Sequence, residues 1–409
     1  MKLRVAILAV FAAALGLVAY AFRNPGVPAD SHWCPVLVGV DFYPGYVAAQ
    51  ALVAGLGIYD NHRARGGNFV DPVQDHEGVV SRFMYPPPVA YLYLPLSRLS
   101  AATAWRIWLA VSVVAMTLAL ALLMRLGGGD AWFSLALAAG LLAFYPLHFA
   151  LLNGNVGWAC LTLWIAGLYF LVAGRSETLA ALCIALAAAL KLYPALLLPW
   201  FAIQRRWALL AKTVAFLLAI AALTAGGGAW VVFPGRAQDF DRFVQAWYAN
   251  GSLFSLLANV TELQVAFPAA RIFALAELGF ALAWVRQRRD DRLGLLYQCG
   301  LLSAAMILAP NTVYDYNLIF AIPGLAAVLH DLLAGPGGGR SPLLLAAAAL
   351  AALAVPTRLV FNAAHQWGAT VPAGNLAATK FPWLLALFAA LAWRYRQLET
   401  RKSSLLSNT

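Results

Sequence analysis

Long apolar runs recur along the whole chain, and they restrict its fold more than any other feature of the sequence. A transmembrane helix needs about 20 mostly apolar residues. Runs that fit this requirement lie at 5–22, 104–124, 131–150, 156–174, about 207–231, 266–285, 293–309, 316–333, 342–360 and 381–396. Because the chain is 63% hydrophobic and only 11% charged, it is not an ordinary soluble protein. We predict an all-α integral membrane protein, a multi-spanning helical bundle of about 10–12 transmembrane helices, some of them short and broken.

Two apolar stretches are interrupted by polar residues and prolines. The first opens with Tyr85-Pro86-Pro87-Pro88 and ends at Leu99, and the second, 178–204, is divided by Lys191-Leu192-Tyr193-Pro194. Each resulting piece is too short to cross a hydrocarbon core of about 30 Å as a helix. We therefore predict a half-helix or interfacial element after Tyr85, and a hairpin at 178–204 that enters the membrane and returns.

The net charge is +11, and the Lys and Arg residues cluster at the ends of the apolar runs. This placement is typical of topology signals and lipid headgroup contacts, so we predict membrane lipids and no nucleic acid as partners. With the N-terminus inside and the hairpin counted as no net crossing, the Arg clusters fall in the cytoplasm. We predict a multi-pass protein of the cell membrane, with residues 1–396 as one membrane domain and 397–409 as a cytoplasmic tail. The polar segments 23–85 and 234–265 then form outer loops.

One early carboxylate, Asp41, lies in the first of these outer loops. It precedes an apolar and aromatic stretch in which Pro44 suits the first turn of a helix, while Gly55 and Gly57 suit its end. We predict an interfacial helix at 44–55, with Asp41 one turn before it. An acidic residue there is explained by turn formation or helix capping as well as by a functional role, and the local sequence leaves both open.

A few basic residues lie at membrane depth, where charges are costly and usually line a polar site or meet an anion. Lys191 interrupts an apolar stretch, Arg271 lies in the 266–285 span, and Arg358 lies near the outer end of 342–360. Snorkelling to the lipid headgroups is the alternative, above all for Arg358. We predict that these cations bind the phosphate of a lipid-linked donor, because a polyprenyl phosphate carries its phosphate at the membrane interface.

Transfer of a sugar from such a lipid phosphate to a hydroxyl needs little from the protein. The phosphate is a good leaving group once a cation stabilises it, and one base is enough to take the hydroxyl proton. Asp41 is the predicted catalytic base, because it lies next to aromatic residues that can stack on sugar rings. Asp60 and Asp315 are weaker candidates, since each also fits a turn or cap. The sequence has no P-loop, dinucleotide-binding fingerprint, metal-ligand spacing or nucleophile elbow, so we predict neither a metal nor a cofactor.

Several short motifs, taken in order, resemble those of glycosyltransferase family 87. They are Asp41-Phe42-Tyr43, Tyr46, the sequence GLGIYD from Gly55 to Asp60, Tyr85-Pro86-Pro87, Gly154-Asn155, Lys191-Leu192-Tyr193-Pro194 followed by Arg205-Arg206-Trp207, and Pro310 before a tyrosine-rich segment. The resemblance extends from about residue 36 to residue 330. It implies a GT-C fold and an inverting transfer of a hexosyl, preferentially mannosyl, residue. The implied donor is a polyprenyl-phosphate sugar, the implied acceptor is lipid- or glycan-linked and extracytoplasmic, and Asp41 is the implied base.

The resemblance has one departure, in the late motif. Family members carry a basic or His residue after the proline, whereas here Pro310 is followed by Asn311-Thr312-Val313-Tyr314-Asp315-Tyr316. The phosphate contact is therefore expected from residues such as Lys191 or Arg271. The residues predicted to line the sugar-binding cavity are Tyr43, Tyr46, Tyr59, Asp60, Tyr85, Asn155, Tyr193, Asn311, Tyr314, Asp315 and His365.

A membrane transporter or lipid flippase is the alternative, because such proteins place broken helices and charges near the midplane of the membrane. Glu277 is the one carboxylate clearly inside a predicted span, but the sequence has no internal repeat to support this alternative. A purely structural membrane protein would leave Lys191 and the long outer loop without an explanation.

Overall fold

The computed structural model describes residues 41–59, 83–174, 176–243, 250–286, 291–334 and 340–407. Within these ranges all regular structure is helical, which confirms the predicted fold class. The predicted first span at 5–22 and most of the outer loop 23–85, including Asp60, lie outside the described residues.

The first half of the described chain alternates between long helices and short ones. In order they are α1 (Phe42–Val53), α2 (Pro87–Leu92), α3 (Ala101–Leu126), α4 (Ala131–Ala143), α5 (Tyr145–Asn153), α6 (Gly157–Val172), α7 (Glu177–Leu190), α8 (Leu198–Ile203) and α9 (Trp207–Leu223). A short 3-10 turn at Leu94–Leu96 follows α2, and another at Tyr193–Leu197 precedes α8. The predicted short element after Tyr85 and the predicted break at Lys191 are therefore confirmed.

The second half continues with α10 (Ala229–Phe243), α11 (Leu253–Ala258), α12 (Leu263–Trp284), α13 (Arg292–Leu308), α14 (Ile322–Ala334), α15 (Ser341–Ala354), α16 (Thr357–Gln366), α17 (Val371–Ala378) and α18 (Phe381–Ser407). A 3-10 turn at Asp315–Ala321 leads into α14. Helices α10 and α11 occupy much of the 234–265 segment, for which the sequence analysis predicts only a polar outer connection. The last helix runs on through most of the predicted tail.

Four helical stretches are long and apolar enough to cross a membrane: Ala101–Leu126, Leu263–Trp284, Asp315–Ala334 and Val371–Thr400. Two bent helix pairs raise the number to six among the described residues. Several further apolar helices, including α6, α7, α9 and α13, are only 10–17 residues long, which is short of the roughly 20 residues of a straight span. By length and composition the chain is a multi-spanning helical membrane protein with many short or bent segments.

Two runs whose length predicts a single span are bent. The 131–150 run forms α4 and α5, which meet at 62°, and Pro146 lies in the first turn of α5. The 342–360 run ends at Ala354, and the helix that follows Pro356 is inclined to α15 by 76°. Proline has no backbone N–H and disfavours the helical conformation of the residue before it, which explains both breaks.

A buried polar cluster fastens α18 to the rest of the bundle. Arg394 donates through Nε and Nη2 to the two carboxylate oxygens of Asp331 in α14, at 2.6 and 2.9 Å. Tyr297 of α13 donates to the same carboxylate at 2.9 Å. Because the two charges are paired and further hydrogen-bonded, their burial is tolerated. Both side chains therefore serve the packing of α13, α14 and α18.

Candidate active site

The carboxylate of Asp41 is turned away from the helix that it precedes. Helix α1 begins at Phe42, two residues earlier than predicted, and the Asp41 side chain makes no capping hydrogen bond to it. The backbone N–H of Asp41 donates to the carbonyl of Asn153 at 2.9 Å, which fixes the residue against the end of α5. Its Oδ2 atom accepts a hydrogen bond from Asn155 Nδ2 at 3.0 Å. The capping explanation is therefore wrong for this side chain.

The side chain of Asn155 joins three groups at this point. Its Nδ2 donates to Asp41 and also to the hydroxyl of Tyr85 at 3.0 Å, while its Oδ1 accepts from the backbone N–H of Gly157 at 2.8 Å. Asn155 is only 1% exposed, so its polar atoms have no bulk water as an alternative partner. It holds the carboxylate and the phenol in a fixed relation at the start of α6.

Gly154 ends α5 in a conformation and a space that suit only glycine. Its φ is +68°, and a Cβ at this position would lie 2.6 Å from the Trp105 ring and 2.7 Å from Phe42 Cβ. Its carbonyl accepts from Trp108 Nε1 at 2.8 Å. The start of α1 therefore packs directly against the Asn153-Gly154-Asn155 segment, and this contact sets the position of Asp41.

We expect the substitution Gly154→Ala to destabilise the protein by roughly 2–5 kcal/mol, because it adds left-handed backbone strain to overpacking. Gly129→Ala is the matched control, since Gly129 has a φ of +75° but nothing within 4 Å of an added Cβ. The control should be destabilised only by the added backbone strain, which costs about 1–2 kcal/mol. Thermal unfolding of both variants in detergent measures the difference, and equal losses would contradict the tight packing at Gly154.

A buried cation, Lys191, comes to the same region from a distant part of the chain. Helix α7 ends at Leu190, and Lys191 adopts an extended backbone before the 3-10 turn at Tyr193–Leu197. Its Nζ donates to Asn317 Oδ1 at 2.7 Å and lies 5.1 Å from the centre of the Tyr316 ring and 5.7 Å from that of Tyr193. Lys191 is 7% exposed, so it does not snorkel to bulk solvent.

Electrostatics link the carboxylate to this cation. Burial raises the pKa of Asp41, and the hydrogen bond from Asn155, the charge of Lys191 and the hydroxyl of Tyr85 oppose that rise. Burial, together with the charge of Asp41, holds the pKa of Tyr85 well above its usual range, so this phenol stays a hydrogen-bond donor. Asp41, Tyr85, Tyr193 and Tyr316 are each partly exposed. The site therefore combines a partly exposed carboxylate, three partly exposed phenol rings and one buried ammonium group.

Other residues predicted for the site have internal roles. The Tyr46 hydroxyl donates to the Leu99 carbonyl at 2.6 Å, and the Tyr59 hydroxyl donates to the Tyr85 carbonyl at 2.8 Å. Asp315 accepts from the backbone N–H of Thr357 at 2.9 Å and from its hydroxyl. Asp315 thus holds the first residue of α16, in agreement with the cap that the sequence offered as its alternative.

The late segment around Asn311 lies against the residues before α11. The Asn311 carbonyl accepts from Asn250 Nδ2 at 3.0 Å and from the Ser252 hydroxyl at 2.7 Å. The Tyr314 ring lies 5.2 Å from that of Tyr316, which connects this segment to the ring beside Lys191. At the opposite end of the cluster, partly buried Tyr43 packs edge-on against Phe42, with ring centres 5.2 Å apart.

Two predicted site residues are exposed and make local contacts. Arg271 lies on the exposed side of α12, with its guanidinium 5.7 Å from the centre of the Phe267 ring one turn earlier. His365 is exposed at the end of α16, where its Nδ1 is 3.1 Å from the Ala369 carbonyl. Neither contact brings these residues to Asp41. The side chain of Arg358 and the whole of Asp60 lie outside the described residues.

Glu277, the residue behind the transporter alternative, is buried in α12 and 5% exposed. Neither of its carboxylate oxygens has a hydrogen-bond partner within the described part of the chain. The aromatic pairs Phe273 with Phe381 and Phe280 with Phe388 flank its position on the face of α12 toward α18. An unpaired buried carboxylate is costly in its charged form, and the structure gives no contact that explains it.

Comparison with known proteins adds one positive result. The family model described as glycosyltransferase family 87 matches residues 83–310, which is more than half of the 409-residue chain. The matched range includes Tyr85, Asn155 and Lys191, whereas Asp41 and Asn317 lie outside it. No curated protein matches the chain.

Proposed function

Because this chain belongs to glycosyltransferase family 87 and is therefore a membrane glycosyltransferase, we propose the donor, the base and the course of its reaction. The donor is a polyprenyl-phosphate hexose, with mannose as the favoured sugar. The acceptor is a hydroxyl of a lipid- or glycan-linked molecule. The reaction takes place at the extracytoplasmic face of the cell membrane and needs no metal or cofactor.

One observation carries this proposal: the clustering of Asp41 and Lys191, which are far apart in sequence, around the buried amides Asn155 and Asn317. Sugar transfer from a phosphate needs a base for the acceptor proton and a cation for the leaving group. The cluster supplies both in one place. It lies where helices α5 and α7 end.

The proposed chemical step is a single displacement. The acceptor oxygen attacks the anomeric carbon while its proton passes to the Asp41 carboxylate. The bond between the anomeric carbon and the phosphate oxygen breaks, and the electron pair leaves with the polyprenyl phosphate, whose negative charge the Lys191 ammonium stabilises. Attack from the side opposite the leaving group inverts the anomeric configuration. The partly exposed rings of Tyr85, Tyr193 and Tyr316 offer faces on which the sugar stacks.

The proposed orientation in the membrane follows from charge. Arg125 lies in the last turn of α3 and Arg205-Arg206 follow α8, whereas Asp41 and Lys191 lie at the other ends of the neighbouring helices. Cytoplasmic connections are enriched in Lys and Arg. This asymmetry supports an extracytoplasmic site, where polyprenyl-phosphate sugars serve as donors in place of nucleotide sugars.

The donor class is tested with purified protein in lipid nanodiscs and an extract of cell membranes as the acceptor pool. Labelled polyprenyl-phosphate mannose, polyprenyl-phosphate glucose and a nucleotide mannose are supplied in parallel. We expect label to pass to the acceptor fraction from a polyprenyl-phosphate sugar, and from the mannose donor fastest. Transfer from the nucleotide sugar alone would contradict the proposal.

The transporter alternative is based on the buried carboxylate of Glu277. It differs from the glycosyltransferase proposal in what it predicts for variants of Glu277 and Asp41. A transport role requires that Glu277→Gln abolish function and that Asp41→Asn leave it intact. We propose the reverse order, because Asp41 is partly exposed near a cation, whereas Glu277 is buried on the face of α12 that carries the aromatic residues Phe273 and Phe280.

A further inference from the structure

The hydrogen-bond and ring contacts of the Lys191 ammonium group are with neutral side chains, and the carboxylate whose charge reaches it is that of Asp41, the proposed base. Asn317 Oδ1 accepts one of its protons at 2.7 Å, and the faces of the Tyr316 and Tyr193 rings lie beside it. Asn317 is 2% exposed and belongs to the 3-10 turn at Asp315–Ala321. A neutral amide fixes one N–H direction of the ammonium, but it does not cancel the positive charge.

A carboxylate lies close to this position in sequence, but it is engaged elsewhere. Asp315, two residues before Asn317, accepts hydrogen bonds from the backbone and the hydroxyl of Thr357. The turn therefore points its acidic group toward α16 and presents an amide to Lys191. The N-terminus of α6 lies on the same side, since a Cβ on Gly157 would be 3.5 Å from Lys191 Nζ. The helix N-terminus adds positive partial charge beside the ammonium.

We infer that Asn317 is a positioning residue that orients Lys191 while leaving its charge available to the phosphate of the lipid donor. This inference rests on the proposed function. An aspartate at 317 would accept the same hydrogen bond with nearly the same shape, but it would pair with the ammonium and compete with the phosphate. The neutrality of the side chain, and not only its hydrogen bond, is what the site requires.

The test compares Asn317→Asp with Asn317→Ala by a binding assay that needs no turnover. The probes are polyprenyl phosphate and the uncharged polyprenol of the same length, bound to purified protein in nanodiscs. We expect Asn317→Asp to reduce the preference for the phosphate by about tenfold or more, as loss of a charge-assisted contact predicts. Asn317→Ala should reduce it only a few-fold. A purely structural role gives the opposite order, because aspartate keeps the acceptor oxygen and alanine leaves a gap.

Asn375→Asp is the matched control, since Asn375 is also a buried amide, 7% exposed, and donates to Asn259 Oδ1 at 2.9 Å. It should leave the phosphate preference unchanged. If the wild-type protein shows no preference for the phosphate over polyprenol, the proposed function itself fails. If the wild type shows the preference and Asn317→Asp keeps it, or Asn317→Ala loses more, the inference fails while the proposed function stands.

A second pair keeps the inference testable if Asn317→Asp does not fold. Asn317→Ser retains a neutral acceptor, whereas Asn317→Ala has none. We expect the serine variant to keep more of the preference for the phosphate than the alanine variant does. Equal losses in the two would overturn the role of Asn317 as the acceptor that orients Lys191.

Discussion

Replacement of Asp41 by asparagine is expected to lower the rate of sugar transfer by about 10²–10⁴-fold, the usual contribution of a positioned base. Asparagine has the same shape and retains an oxygen that can accept the hydrogen bond from Asn155, so the fold and the affinity for the donor should change little. The loss should therefore appear in kcat, with KM for the polyprenyl-phosphate sugar nearly unchanged. Turnover of the purified variant in nanodiscs measures this.

Asp130→Asn is the matched control for this variant. Asp130 is exposed and caps α4 by accepting from the backbone N–H of Phe133 at 2.8 Å, and asparagine caps a helix equally well. The control should retain full activity. Undiminished transfer by Asp41→Asn would remove Asp41 from the mechanism.

The pH dependence of the wild-type enzyme provides a further check on the same residue. The base must be ionised, and burial raises the pKa of Asp41. Activity should therefore fall as the pH is lowered, and the fall should begin above the value of about 3.9 that is usual for aspartate. The variant with asparagine should lack this acid limb in its residual rate.

The sequence predicts the position of a site residue best where a polar residue interrupts an apolar stretch. Lys191 stands between Leu190 and Leu192 and before a Tyr-Pro pair, so the end of α7 and an inward-facing cation follow from the cost of charge in an apolar environment. Asp41 stands before an aromatic helix in the same way. Asp41 and Lys191 both lie at helix ends, and these ends are determined by the neighbouring residues in the sequence.

Residues whose role depends on distant partners could not be predicted in this way. Asn317 directly follows the tyrosine-rich motif that ends at Tyr316, but its partner Lys191 is 126 positions away and no local signal pairs the two residues. Arg271 shows a different difficulty. Its helix is apolar on nearly every side, so the sequence does not say which face turns to the bundle, and the residue lies on the exposed face. Helical phase is lost where hydrophobicity has no clear direction.

Bends were also missed where proline stood inside a long apolar run. Pro146 and Pro356 are visible in the sequence, but the hydrophobic length of the runs at 131–150 and 342–360 predicts a single span for each. Polar side chains meet the backbone groups that the prolines leave without a helical donor: the Leu142 carbonyl lies 2.8 Å from His148 Nε2, and the Ala352 carbonyl accepts from Lys380 Nζ at 3.1 Å. Length alone therefore overstated the number of straight crossings.

Substitution of Lys191 by methionine is expected to reduce transfer by roughly 10²–10³-fold, the usual loss when one group that stabilises a developing negative charge is removed. Methionine fills nearly the same volume and avoids burial of a charge, but it leaves the buried Asn317 Oδ1 atom without its donor, which costs about 1–3 kcal/mol of stability. A merely structural lysine predicts this loss of stability with transfer by the folded variant nearly unchanged. Thermal unfolding and turnover, measured on the same sample, separate these outcomes.

Lys212→Met is the control for loss of a lysine. Lys212 forms an exposed ion pair with Glu177 at 3.2 Å, and such pairs contribute about 0–1 kcal/mol. Its replacement should affect neither measurement.

The double variant Asp41→Asn with Lys191→Met tests whether the two residues act together. If base and cation act in one displacement, the combined loss of transfer rate should be smaller than the product of the two single losses. Full multiplication of the two losses would mean that the two residues act in separate steps, and the single-displacement mechanism would be wrong.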